Sequence, residues 1–174
     1  MQNFLYKKET FIYEKNNSIT NELCNDIIEI FVNDVSNNNR YNMDYNDEYK
    51  KIKRYLTEEL KKNIHSYEKK INGIKDYKII DIKNYNFVFY IENNNKPNDI
   101  INYTNRTTIK NNVKLLMYIW FLTDYDGEIT FWNEYKIIPK AGKCIIFPVS
   151  WCFPYQELIQ LQTKKYIIYG YIYE

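Results

Sequence analysis

The chain has 174 residues, with 24 basic and 22 acidic side chains, one histidine and a formal net charge of +2. That length suits a single domain, residues 1–174, which buries a core without disulfide or metal staples. The near balance of charge gives no general field for drawing in nucleic acid, which is not expected as a partner. A mean hydropathy of −0.61, with no run near the roughly 18 apolar residues of a membrane span, points away from the membrane.

The opening, MQNFLYKKETFIYEKNN, mixes charges among its apolar residues and has no block followed by a small-residue cleavage site. An intracellular protein is therefore expected. Cys24, Cys144 and Cys152 are odd in number and widely spaced, which matches neither a disulfide framework nor a zinc site and implies reduced thiols. Only 4 glycines and 4 prolines stand beside many asparagines, isoleucines and lysines and 19 tyrosines. Their codons are rich in A and T, a bias expected of a large DNA virus or a parasite and silent about mechanism.

In chain order, the apolar pieces at residues 4–13 read as a strand pair or one bent edge strand. Thr20 is then placed as the N-cap of a first helix, with Glu22 in its first turn and Leu23, Ile27, Ile30 and Phe31 on one face. Residues 35–48 lack periodicity and read as a loop. Ile52, Leu56, Leu60, Ile64, Tyr67 and Ile71 form the stripe of a second amphipathic helix. His65 lies on the flank of that stripe, and a lone imidazole there reads as a half-exposed helix residue.

From Tyr77 the period changes to two, through YKIIDIK, YNFVFYIE, VKLLMYIWFLT, EITFW, YKIIPK, KCIIFPV and KKYIIYGYIYE. Seven strands after two helices predict an α+β domain whose helices pack on one sheet of a sandwich or barrel. Residues 92–112 are too polar for a core strand and read as a long loop, with a short strand near Ile100 to Tyr103.

Several of these segments occur in a telling succession: Phe121-Leu122-Thr123, Gly127-Glu128-Ile129-Thr130-Phe131, Pro139-Lys140-Ala141-Gly142, Phe147-Pro148 and Lys165-Tyr166-Ile167-Ile168-Tyr169-Gly170. Their order and spacing resemble the prolyl 4-hydroxylase-like branch of the Fe(II)/2-oxoglutarate oxygenases. The resemblance extends over nearly the whole chain and implies a double-stranded β-helix, a jelly-roll or cupin-like core, with the two N-terminal helices on one sheet. It also implies a chemistry: ferrous iron on two histidines and a carboxylate, and a basic residue, ten positions past the late histidine, that pairs with the cosubstrate's distal carboxylate.

This chain departs from that pattern. Ser150-Trp151-Cys152-Phe153-Pro154 is followed by Tyr155 where the resemblance calls for the late histidine, and Lys165 stands ten residues on. The early His-x-Asp should fall within Asn98–Asn105, where Asp99 is the sole carboxylate and there is no histidine. A neutral phenol binds iron poorly because it must first ionise from a pKa of roughly 10. Asp99, alone or with Glu157, would offer hard oxygen ligands suited to magnesium or calcium.

No catalytic or metal-binding residue is therefore assigned, and no cofactor is expected, although the family would use Fe(II) and 2-oxoglutarate. Lys165 and Tyr155 are candidates for a residual 2-oxoglutarate pocket. Lys165 either points into that pocket, where it would need an anion, or is the solvated start of a strand. The aromatic groups Tyr118-Trp120-Phe121 and Trp151-Phe153-Tyr155 read as core and pocket lining.

The expected function is a catalytically inactive, dioxygenase-like module that binds protein partners, virion or host proteins among them. The alternative is an active prolyl- or lysyl-hydroxylase-like oxygenase with an atypical metal site. A basic stripe on the second helix, Lys50, Lys51, Lys53, Arg54, Lys61 and Lys62, keeps nucleic-acid binding as a weaker third class.

Overall fold

The computed structural model describes residues 11–34, 40–43, 49–71, 87–93, 98–102, 108–109, 112–150, 152–159 and 164–173. Its elements are β1 (Tyr13–Lys15), α1 (Asn21–Asp34), β2 (Arg40–Asn42), α2 (Lys50–Lys70), β3 (Val88–Asn93), β4 (Asn98–Asn102) and β5 (Thr108–Ile109), followed by β6 (Asn112–Phe121), β7 (Gly127–Phe131), β8 (Tyr135–Ile137), β9 (Cys144–Pro148), β10 (Tyr155–Ile159) and β11 (Lys164–Tyr173). A major sheet runs β1-β9-β6-β11-β3-β2 with β5 added to β6, and a minor sheet runs β4-β10-β7-β8. Every pairing is antiparallel. This is the expected α+β jelly-roll core with two helices. No helix among the described residues is long and apolar enough to cross a membrane.

The alternation of the long strands divides the interior in two. On β6, Leu116, Tyr118 and Trp120 join Ile168 and Ile172 of β11 in a core shared with Cys24, Ile27 and Phe31 of α1 and Leu56, Leu60, Ile64 and Tyr67 of α2. The intervening residues Met117, Ile119 and Phe121 face the other way, with Ile145 and Phe147 of β9, Ile129 and Phe131 of β7, and Tyr155 of β10. Successive side chains of a strand point to opposite faces, so the major sheet takes the helices on one face and meets the minor sheet with the other.

The helices form as their periodicity predicts. Thr20 Oγ1 accepts the backbone N–H of Leu23 at 3.2 Å, the N-cap bond expected of it. Phe31 is fully buried between Tyr49 and Phe89, stacked at ring-centroid distances of 4.6 and 4.4 Å. Ser18 Oγ accepts from Asn63 Nδ2 at 2.7 Å and Trp120 Nε1 at 3.0 Å, which ties the segment before α1 to α2 and β6. Burial pushes the Cys24 thiol up to about 11, and Cys24, Cys144 and Cys152 are all free thiols.

The short strand expected near Ile100 to Tyr103 is present as β4, Asn98–Asn102. Three other strands differ from the sequence-based reading: β5 lies in the stretch 92–112 otherwise read as a loop, and β2 falls inside the stretch read as the 35–48 loop. Strand β10 occupies residues for which the hydropathy pattern predicts no strand. The expected strand at 77–83 and residues 4–10 lie outside the described residues.

The PKAG turn is anchored from two sides. Gly142 has φ +77°, and a Cβ there would lie 2.3 Å from the Ile19 carbonyl oxygen, so only glycine fits. Its own carbonyl accepts from the N–H groups of Ser18 and Ile19. Asp124 accepts from Lys140 Nζ at 2.8 Å and from the Ala141 N–H at 2.7 Å, and these contacts, the lysine first, hold its carboxyl below the ordinary value.

Two outcomes follow from these contacts. Phe31→Ala should lower unfolding free energy by about 3–5 kcal/mol in denaturant titration, because it empties a fully buried ring site. For Asp124 the depressed folded-state value means that its stabilisation is present above the unfolded value near 4 and is lost as pH falls through the folded value. Asp124→Asn should therefore melt below the parent at pH 7, and the gap should shrink below about pH 4.

Candidate functional site

The site is built where the two sheets face each other. Lys165 is on β11, whose residues Lys165, Ile167, Tyr169 and Tyr171 point away from the helices and line a cavity of about 410 Å³. Tyr155 and Glu157 of β10 line it from the minor sheet, with Arg40 of β2 and Tyr90 of β3 at its side. Arg40 is exposed and Tyr90, Tyr169 and Tyr171 are half-buried, whereas Lys165, Glu157 and Tyr155 retain only 4%, 7% and 8% of their exposure. The polar groups therefore run from an open side toward a buried base.

At that base Lys165 Nζ donates to Glu157 Oε2 at 2.6 Å, and the Tyr125 hydroxyl donates to Glu157 Oε1 at 2.7 Å. Both carboxylate oxygens are thus engaged, one by an ammonium from the major sheet and one by a phenol from the loop before β7. The ammonium also lies 5.5 Å from the centre of the Tyr90 ring, as does the Arg40 guanidinium carbon, at cation–π range. A charge left alone in such a place would cost several kcal/mol, so each ion of the pair requires the other.

The chain brings β10 to this position through Gly127. A Cβ on Gly127 would lie 2.2 Å from the Leu158 carbonyl oxygen, so the pairing of Gly127 with Ile159 and of Ile129 with Glu157 depends on a residue without one. Glu157 then points inward while its neighbour Leu158 is 37% exposed, the reverse of the usual polar-out, apolar-in order of a half-buried strand.

Of the sequence candidates, Lys165 and Tyr155 both line the cavity. Lys165 takes the inward orientation and leaves Lys164 exposed. Tyr155 packs against Phe131 and Phe147 at ring distances of 5.6 and 5.5 Å. Burial, and after it the Glu157 carboxylate, holds its phenol above the usual tyrosine range. Glu157, weighed from sequence as an oxygen ligand beside Asp99, is instead bound to Lys165 and Tyr125. Asp99 is on β4, paired in register with Leu158, while Glu157 pairs with Ile100.

His65 lies on α2, its side chain 66% exposed and 3.8 Å from Glu68. On the same helix, Lys61 and Lys62 of the basic stripe are paired with Glu58 and Glu59. Of the two aromatic groups, Tyr118 and Trp120 face the helices, Phe121 and Tyr155 line the cavity, and Trp151 is outside the described residues. Sequence reasoning missed Tyr125, Tyr90 and Arg40. The inward period-two set from Lys165 through Tyr171 was readable, but nothing in the residue order links Tyr125 to Glu157 across 32 positions.

The donors present do not fit an iron centre of two imidazoles and a carboxylate. The chain has one histidine, which lies on the outer side of α2. The Tyr155 phenol is held in its protonated form, and Glu157 is already doubly hydrogen-bonded. Among the described residues no group of three or more His, Cys, Asp or Glu side chains converges.

No protein-family model and no curated protein matches the chain. Solved structures do match. A viral collagen prolyl hydroxylase from Paramecium Bursaria Chlorella virus-1, in its 2OG complex, is 15% identical with a TM-score of 0.63, over 94% of this chain and 96% of that one. A prolyl-4-hydroxylase from Pseudomonas putida is 9% identical with a TM-score of 0.64, over 94% and 92%. The prolyl hydroxylase from Trichoplax adhaerens, in complex with a hypoxia inducible factor oxygen degradation domain peptide fragment, is 14% identical with a TM-score of 0.66, over 94% and 84%. The fold is that of the prolyl hydroxylases.

These neighbours correct the expectation that the chain takes no cofactor. A fold held in common with prolyl hydroxylases, one of them a 2OG complex, conflicts with that expectation. Its basis was the missing imidazoles, which bear on the ligands of iron and not on the rest of the cavity lining.

The buried pair can be tested by a double-mutant cycle. Lys165→Met and Glu157→Leu should each lower unfolding free energy by about 3–5 kcal/mol, because each removes one ion of a buried pair and keeps the other. The double variant should lose much less than the sum, with a coupling energy of about 2 kcal/mol or more by denaturant titration. Additive losses would mean that the two charges do not meet.

Proposed function

We propose that this prolyl hydroxylase-like fold serves as a binding module that docks a protein partner and does not hydroxylate it. The observation that carries this reading is the pair of Glu157 and Lys165. The one interior carboxylate in the described cavity lining is spent on an ammonium and a phenol, and so is not offered as a metal ligand. The single surface histidine supports it, since ferrous oxygenase chemistry needs an imidazole-rich face with open coordination positions. An intracellular setting, in a virion or a virus-infected cell, is part of the proposal and draws on the codon-linked composition. The proposal concerns turnover and leaves the cavity able to receive a small organic acid.

The test is a turnover assay on the full chain with ferrous iron, ascorbate, oxygen and 2-oxoglutarate. Succinate release should not exceed that of the same mixture without protein. Release that scales with protein and iron would overturn the proposal in favour of an active oxygenase with an atypical metal site.

A further inference from the structure

An ammonium buried to 4% exposure needs an anion, and here the chain supplies that anion itself. Glu157 reaches Lys165 from the opposite sheet at 2.6 Å, and Tyr125 fixes its second oxygen at 2.7 Å. The carboxylate is therefore held in the wall of a space of about 410 Å³. A second cation, Arg40, lines the same space, and it and Lys165 each lie 5.5 Å from the centre of one ring, that of Tyr90. By the triangle they form, the two cations are no further apart than twice that distance. Nothing in the apolar part of the lining, Met117, Ile119, Phe121, Ile129 and Ile167, requires a glutamate at position 157.

We propose that Glu157 is a tethered competitor for the cavity's acid site: a specificity-determining residue that occupies Lys165, so that a small dicarboxylic acid enters only by displacing it. Being part of the chain, the glutamate carboxylate faces Lys165 at an effective concentration of about millimolar or higher, against which a soluble acid must compete. An entering dianion would also be repelled by the Glu157 charge as long as that charge stays in the cavity. Removing the charge should therefore raise affinity, whereas removing Lys165 should abolish the gain. This inference deepens the binding-module reading by naming what controls its cavity.

The experiment is calorimetric titration of the full chain with glutarate, without added metal, in the parent protein, Glu157→Gln, Tyr125→Phe and Glu157→Gln/Lys165→Met, with circular dichroism to verify folding. Glutarate lacks the keto group that turnover requires, so failure here and failure of the turnover assay are separate results. Glu157→Gln should bind glutarate at least about tenfold more tightly than the parent. Tyr125→Phe keeps both charges but frees one carboxylate oxygen, and should gain a few-fold. The gain should vanish in the double variant. A folded Glu157→Gln that binds no more tightly than the parent, or a gain that survives loss of Lys165, would overturn the proposal. If Glu157→Gln does not fold, Tyr125→Phe decides: a folded Tyr125→Phe with parental affinity overturns it.

Discussion

A buried positive charge is the constraint around which this site is organised. Lys165 sits on β11, near the middle of the major sheet, with its side chain turned into the space between sheets and almost no contact with water. Such an ammonium is tolerable only with an anion in contact, and this single requirement accounts for several features that otherwise look unrelated. It explains why β10 carries a glutamate on its inward face and why a tyrosine hydroxyl is spent on that glutamate's second oxygen. The close approach of β10 to β7 at Gly127 brings the carboxylate within reach. An ion pair that spans two sheets also resists their separation, so the same contact that neutralises the charge fixes the distance between the walls of the cavity.

The architecture around it was legible in the sequence wherever side-chain environment follows a regular period. The stripes on α1 and α2 each have one buried face, and Thr20 caps α1 as its hydroxyl allows. Strands β6, β9 and β11 are buried on both faces or nearly so, and show as runs of β-branched and aromatic residues. Strand β10 was not legible because its pattern is inverted: Glu157 faces in and Leu158 faces out, so the hydropathy alternation that marks a half-buried strand points the wrong way. Strand β4 showed only as a short strand near Ile100 to Tyr103, and β5 was hidden by its polar surroundings, since backbone pairing to β6 is not visible in side-chain polarity.

The site divides along the same line. Lys165 was found by its spacing from Tyr155, and its alternation with Ile167, Tyr169 and Tyr171 told which face it shares. Its anion could be anticipated as a need but not as a residue, because Glu157 reads equally well as a ligand for a metal or as an exposed strand glutamate. Tyr125 and Arg40 enter the site through loop and edge-strand placement, which only the folded chain specifies. The error over cofactors has a related origin. Absent imidazoles describe the metal's first neighbours, while the cavity that would receive an acid is formed by tyrosines, apolar residues and a lysine that were all present.

The negative charge beside Lys165 in this cavity thus comes from the chain itself, as the carboxylate of Glu157. The most direct measurement is a high-resolution crystal structure of the purified protein soaked with ferrous iron under anaerobic conditions. The Glu157 carboxylate should be found on the Lys165 ammonium, with no metal beside Tyr155. A metal ion bonded to the Tyr155 oxygen, with Glu157 swung off Lys165, would contradict that pairing.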